Sequence, residues 1–303
     1  MTASGSIESR AAARPRRHER VERIPLGILY MIMATALFAG SSAISKILVV
    51  TYPVGEILFS RCAVGLVCVA AFVLPRMGLA VFETKKLGQH ALRSTSQMFS
   101  QTFILLAFSM MPLASAVAIN FSAPLFATLV AAVLLKETVR PARWIALAVG
   151  FLGVLLVTHP GPDSFQLGSL FALGNAILYG SVTVGVRRMT LTESTETLTI
   201  YQLLFLTGFF ALSLPFGFVM PTWTVAGIML FNGASNALGQ YLWTRALHLA
   251  PTSAVVPFNY FSLVWAMMLG FAVWGDVPSL MLLAGSAIVV GSGLFLLWSE
   301  TRR

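Results

Sequence analysis

Residues 112–127 read PLASAVAINFSAPLFA, and residues 251–266 read PTSAVVPFNYFSLVWA. Each begins with a proline, runs through small residues, and sets a carboxamide directly before an aromatic ring: Asn120–Phe121 in the first, Asn259–Tyr260 in the second. An amide in an apolar run is costly without a partner, so its recurrence 139 positions later asks for a cause. The same offset carries Gln97 onto Asn236, Gln101 onto Gln240, Phe126 onto Trp265 and Glu137 onto Asp276. With a two-residue adjustment, LGILYMIMATALFAG at 26–40 aligns with LGSLFALGNAILYGS at 167–181. The chain is written twice.

What is duplicated is a set of membrane spans. Of 303 residues, 57% are hydrophobic and only 10% charged, against about 25% charged in a soluble domain; mean hydropathy is +0.83. Crossing ~30 Å of hydrocarbon takes about 20 apolar residues. Ten such segments are predicted, at 25–47, 54–74, 92–111, 113–135, 142–158, 167–187, 197–218, 224–247, 252–274 and 279–298. The connections between them hold breakers such as PRMGL, HPGPDS and WGDVPS. The expected fold is an all-α integral membrane protein with ten transmembrane helices. Its expected parts are a disordered basic tail over 1–23, a five-helix unit over 24–158 and a second over 167–298. The first apolar segment is too long for the core of a signal peptide, and no convincing cleavage pattern follows, so it reads as a retained span. Cys62 and Cys68, six apart in one apolar segment, imply neither a disulfide nor a metal site.

The net charge of +9 is explained by its placement. Of the 20 Lys and Arg residues, 18 fall in the N-terminal tail, in the connections after helices two, four, six and eight, or at the C-terminal end. In a ten-helix topology all of these lie on one side. The positive-inside rule then puts both termini in the cytoplasm, and a count of nine or eleven helices would scatter the pattern. A basic face also suits anionic lipid. No basic and aromatic interleaving on a soluble surface accompanies the charge, so nucleic acid is not an expected partner.

Five helices per unit is an odd number, so the second copy crosses the bilayer in the opposite sense. Inverted repeats of this kind characterise transporters that bind solute near the midplane and alternate access by rocking one bundle against another. The stretches PVGEILFSRCAVG (53–65), AFSMMPLASAVAINFSAPLFATLVAAVLLKE (107–137) and GFLGVLLV (150–157), with their second-half counterparts, resemble the drug/metabolite transporter superfamily, EamA type. The resemblance covers about residues 25–298. Within the superfamily the chain looks most like exporters of amino acids and metabolites, including the YddG-type aromatic amino acid exporters. It implies a multi-pass protein of the bacterial inner membrane that exports small, aromatic or hydrophobic amino acids. No cofactor is implied, and a monomer suffices. A facilitative channel, or a carrier of phosphate esters or organic cations, is the alternative.

Candidate solute contacts follow from the duplicated polar residues. Gln97 and Gln101 are four apart and share a helix face; Asn236 and Gln240 repeat them on helix eight. Asn120 and Asn259 lie about a third of the way along helices four and nine, and Tyr179 is on helix six. A carboxamide both donates and accepts, which suits a zwitterion, while Phe121, Tyr260 and Trp265 offer rings for an apolar or aromatic side group. The competing reading is that the amides only join helices, at ~0.6 kcal/mol per interhelical bond. Arg61 is the one cation deep in a span, and an Arg at midplane costs ~2.5–3.5 kcal/mol, so it should face the bundle interior. It either grips a solute carboxylate or ties helices. Lys46, near the end of helix one, either snorkels or guides an anionic group. Pro124 and Pro257 interrupt helices four and nine, where proline permits bending.

The chemistry of other classes is missing from the sequence. No HExxH pattern occurs, and none of the four histidines, His18, His90, His159 and His248, falls mid-membrane. Apart from Glu56, the acids fall in tails or near helix ends, so the expected mechanism is alternating access down a solute gradient, with no intramembrane carboxylate relay.

Overall fold

The computed structural model describes residues 24–123, 125, 126, 129, 141–158, 167–189, 193–249 and 256–301. Within these are ten α-helices: α1 (Ile24–Leu48), α2 (Val54–Met77), α3 (Leu87–Met110), α4 (Leu113–Asn120), α5 (Pro141–Thr158), α6 (Leu167–Met189), α7 (Thr195–Ala211), α8 (Trp223–Leu249), α9 (Phe261–Trp274) and α10 (Leu280–Thr301). No strand occurs among the described residues. The tail over 1–23 and the histidines at 18 and 159 lie outside them.

Local chemistry sets the helix ends. Pro53 and Pro112 directly precede α2 and α4, and Pro141 begins α5; a proline costs nothing where the N–H has no intrahelical partner. Ser194 caps α7, its Oγ accepting from the Thr197 N–H. At the other end of the scale, Gly275 closes α9 at φ 71°, a left-handed conformation that glycine adopts without penalty.

The helices pair according to the duplication. α1 packs on α8, and its image α6 packs on α3; α1 packs on α9, and α6 on α4; α2 packs on α8, and α7 on α3. The pairs α2–α7, α4–α9 and α5–α10 map onto themselves. Each of these contacts joins one repeat to the other, so the two copies are interleaved and not merely placed side by side. The α5–α10 seam is the closest: a Cβ at Gly285 would sit 2.7 Å from the Gly153 carbonyl oxygen, and one at Gly153 would sit 2.9 Å from that of Gly285. Small residues let helix backbones approach in lipid, where no hydrophobic drive brings them together.

The bundle is apolar outside. Leu29, Val67, Leu92, Phe151, Leu230, Phe271 and Leu283 are exposed, whereas Ser41, Ser45, Ser100, Asn175 and Asn232 are buried. Lipid explains the inversion, because it solvates Leu and Phe but not a hydroxyl or an amide. Three described stretches, Ile24–Leu48, Val54–Phe82 and Glu196–Phe216, are each long and apolar enough to cross a membrane unaided. The protein is a multi-pass membrane protein of ten helices in two inverted repeats.

The end of the bundle where α1 begins is called here the near face, and the end where α1 finishes the far face. At the far end of the core, Leu48, Ile57, Met111, Leu113, Ala116, Ile119 and Ala266 are fully packed together. At the near face, loop and helix are tied by polar contacts: Thr84 Oγ1 donates to Glu193 (2.9 Å), Tyr201 Oη donates to the Phe82 carbonyl (2.7 Å), and Arg93 donates to Gln202 Oε1 (2.5 Å).

Candidate functional site

The two Asn–aromatic pairs occupy the same kind of place. α4 stops at Asn120, and Phe121 and Ser122 form a turn. In the second repeat, Val256–Tyr260 is a 3-10 segment, and α9 begins at Phe261. In both repeats the duplicated amide therefore sits at a boundary of regular α geometry, at the end of α4 in the first and just before α9 in the second. The cause is in the sequence: Pro124 lies shortly after the first break and Pro257 within the second. Proline lacks the N–H for the ladder and disfavours α geometry in the residue before it. A broken helix at membrane depth is tolerated where it is buried in protein or lines a cavity.

Across the breaks the two repeats touch. The rings of Phe121 and Tyr260 lie 4.9 Å apart with planes at 49°, and the Tyr260 hydroxyl rests against Gly293 of α10. Both rings are half-buried. Trp265, one turn further along α9, buries its indole N–H with no hydrogen-bond partner among the described residues. Such a donor is costly unless something accepts from it.

α3 is the spine that joins these rings to the polar groups. Arg61 of α2 donates from Nη2 to Gln101 Oε1 at 2.8 Å, with the Cys62 thiol 4.0 Å from the same oxygen. This answers one question left open by the sequence: Arg61 meets a side-chain amide on the neighbouring helix. Its guanidinium has five N–H donors, and both partners are half-buried, so capacity is left for an acceptor in the bundle. Glu56 is not its partner; that carboxylate is buried and accepts through Oε2 from the Val219 N–H (3.0 Å) in the far-face connection.

One residue away on α3, Ser100 Oγ donates to Asn175 Oδ1 (2.7 Å), and Asn175 Nδ2 donates to Asn120 Oδ1 (2.6 Å). The other repeat interface holds a matching cluster. Ser41 Oγ donates to Asn232 Oδ1 (2.5 Å), Asn232 Nδ2 to Ser45 Oγ (3.0 Å), and Asn236 Nδ2 lies 3.5 Å from Ser41 Oγ. In both, hydroxyls of one helix satisfy amides of another. Asn175 and Asn232 are thus joining residues, and Asn120 and Asn236 share that task.

The sequence-derived candidates separate accordingly. Arg61, Gln101, Asn120, Phe121 and Tyr260 make contacts that cross between helices or repeats in the middle of the bundle. Gln97 is buried on the inward face of α3, and Asn259 is half-buried in the break itself. Tyr179 and Gln240 are exposed, and Tyr179 lies within electrostatic reach of Arg93. Lys46 is elsewhere, at the far face, donating to the Met111 carbonyl. Ser45 and Ser100 are the functional partners that sequence reasoning missed. The spacing of Ser41 and Ser45, four apart on one apolar helix, is the signal that pairs them.

Comparison with known proteins places this architecture. The EamA-like transporter family matches the chain twice, over residues 25–159 and 166–298. A riboflavin transporter of Rhizobium johnstonii is 28% identical over 93% of this chain and 94% of its own. An S-adenosylmethionine uptake transporter of Rickettsia bellii is 23% identical over 94% of this chain and 98% of its own. A protein of known crystal structure, 19% identical, covers 92% of this chain and 97% of its own with a TM-score of 0.63, a likeness that shows the fold alone. Neither relative is named for amino acid export, the solute class that the sequence favours.

Proposed function

The chain belongs to the EamA-like transporter family, and from that premise we propose that it carries small metabolites joining a planar aromatic ring to hydrogen-bonding groups. It is a membrane transporter of small metabolites; the ring-bearing class, the site and the sidedness are the proposal. The observation that carries it is the Phe121–Tyr260 pair at the two helix breaks, with the Arg61–Gln101 pair on neighbouring helices. A pair of rings and a cation with spare donors are the groups that suit a flat, polar-substituted solute. Aromatic amino acids, whose export the sequence favours, fall in this class. Riboflavin and S-adenosylmethionine, for which the two relatives are named, also carry flat ring systems with polar substituents.

Solute enters and leaves by alternating access, the two interleaved repeats rocking about their shared seams. The basic connections support a reading in which both termini, and with them the near face, lie in the cytoplasm of a bacterial cell. A monomer contains the whole site. A phosphate ester would look for several cations, and a quaternary amine, which has no carboxylate to offer, would be repelled by Arg61, so both serve as contrasting solutes.

Counterflow into proteoliposomes tests the proposal, with riboflavin, S-adenosylmethionine, tryptophan, a sugar phosphate and a quaternary amine as the panel. Saturable, trans-stimulated flux of one or more of the first three is the expected result. Flux confined to the sugar phosphate or the amine would overturn the solute class. Non-saturating flux without counterflow would make the protein a channel.

A further inference from the structure

Lys46 is the charge at the far face whose placement simple membrane chemistry does not explain. A lysine near the end of a span ordinarily stretches its stem toward water. This one turns inward. Its ammonium donates to the Met111 carbonyl at 2.9 Å and lies 4.7 Å from the centre of the Trp274 ring. Met111 is the residue that ends α3, where exposed carbonyls gather partial negative charge and favour a cation. Trp274 is the last residue of α9. The left-handed turn at Gly275 then folds Asp276 back, its N–H donating to the Gly270 carbonyl (3.2 Å). The Asp276 carboxylate lies within electrostatic reach of Lys46, and its Oδ2 is buried with no hydrogen-bond partner among the described residues.

These three attachments come from both repeats: Lys46 and Met111 from the first, Trp274 and Asp276 from the second. The apolar plug of Leu48, Leu113, Ala116 and Ile119 belongs to the same packed cluster as Met111, with Trp274 against it. The sequence also writes the charges a second time. The offsets that align the repeats carry Lys46 onto Arg187 and relate Asp276 to Glu137. A base and an acid thus recur at equivalent sequence positions in a chain whose copies run in opposite senses.

We propose that Lys46 is the pin of a gate at the far face, holding α1, the end of α3 and the end of α9 together over the plug, with Asp276 fixing the ammonium in place. This rests on the alternating-access reading. Opening the far face then requires Lys46 to leave the Met111 carbonyl and the Trp274 ring, and Asp276 acts only through Lys46.

The test is the labelling rate of a cysteine in place of Leu113, which is fully buried in the plug, in full-length protein carrying Cys62→Ser and Cys68→Ser. A polar maleimide is added to the detergent-solubilised protein, with Ile200→Cys, buried at the near face, as the control site. K46A is expected to speed labelling at position 113 by about tenfold and leave position 200 unchanged. D276N should act in the same direction by a few-fold, and the double variant should label no faster than K46A, because sites acting through one another are not additive. Where K46A does not purify folded, Lys46→Gln replaces it, with a smaller rise expected. Equal rates in wild type and the Lys46 variant, or equal acceleration at both positions, would overturn the gate. An additive double variant would remove Asp276 from it. The labelling needs no solute, so a wrong solute class silences counterflow and leaves this readout intact.

Discussion

Asn232→Ala separates the two roles that a buried membrane amide can have. Asn232 is 1% exposed and makes two bonds across the repeat interface, accepting from Ser41 at 2.5 Å and donating to Ser45 at 3.0 Å. Interhelical hydrogen bonds in membranes contribute ~0.6 kcal/mol each, with a maximum near ~1.7; two therefore give about 1.2 kcal/mol. Truncating the amide also removes packing and strips an acceptor from the Ser41 hydroxyl, and a stranded buried group costs ~1–3 kcal/mol. Ser45 limits the damage, because its own hydroxyl already donates to the Ser41 carbonyl at 2.8 Å. The sum is a destabilisation of about 2 kcal/mol. Reversible unfolding in mixed micelles measures it, and the cycle with Ser41→Ala should return a coupling of about 0.6–1.7 kcal/mol. Counterflow saturation should stay within about twofold of wild type, since the amide is occupied by the partner helix and tuning such a joint leaves solute contacts alone. Zero coupling together with lost saturation would refute the reasoning and make Asn232 a solute ligand.

Gly285→Ala should destabilise the protein by about 1–3 kcal/mol, because its Cβ would stand 2.7 Å from a backbone oxygen that cannot step aside; unfolding in micelles reads it, and a neutral result would contradict the α5–α10 seam. Tyr201→Phe removes the bond to the Phe82 carbonyl and should cost about 0.5–1.5 kcal/mol in the same assay, with counterflow unchanged. Arg61→Ala leaves Gln101 Oε1 without its guanidinium donor and should slow counterflow of a carboxylate-bearing solute by about tenfold, the equivalent of ~1.4 kcal/mol. Its uncharged amide analogue should slow less, and equal losses for both would assign Arg61 to helix tying alone.

The architecture was legible because hydropathy, charge placement and the repeat are properties of the chain as a string. Residues 120 and 259 share an offset with their neighbours, and lipid imposes helices on whatever spans it. What the string lacked was the break geometry and the choice of partner. Helix nine is predicted over 252–274, and within that span the structure describes a 3-10 segment at Val256–Tyr260 before α geometry from Phe261; Pro257 decides this locally, and the apolar run conceals it. The choice between ligand and joint for Asn120, Asn175 and Asn232 depends on which hydroxyl faces each amide, and Ser100 and Ser45 look unremarkable in sequence. Lys46 was legible as a boundary cation, but its inward turn depends on where α3 and α9 end in space. Gln240 shows the converse: it aligns with Gln101, yet it is exposed while Gln101 holds Arg61. Repeats diverge first in side-chain partners.

The most direct measurement is equilibrium binding of the transported solute to wild type, Tyr260→Leu and Phe103→Leu in detergent. Phe103 pairs with Phe171 on the α3–α6 seam, within regular helix and not in either break, and controls for a general loss of rings. A stacking ring contributes ~0.5–1.5 kcal/mol beyond its buried area, so Tyr260→Leu should weaken Kd by about three- to tenfold while Phe103→Leu leaves it alone. An unaltered Kd in Tyr260→Leu, or equal weakening in both, would contradict a solute site at the paired helix breaks.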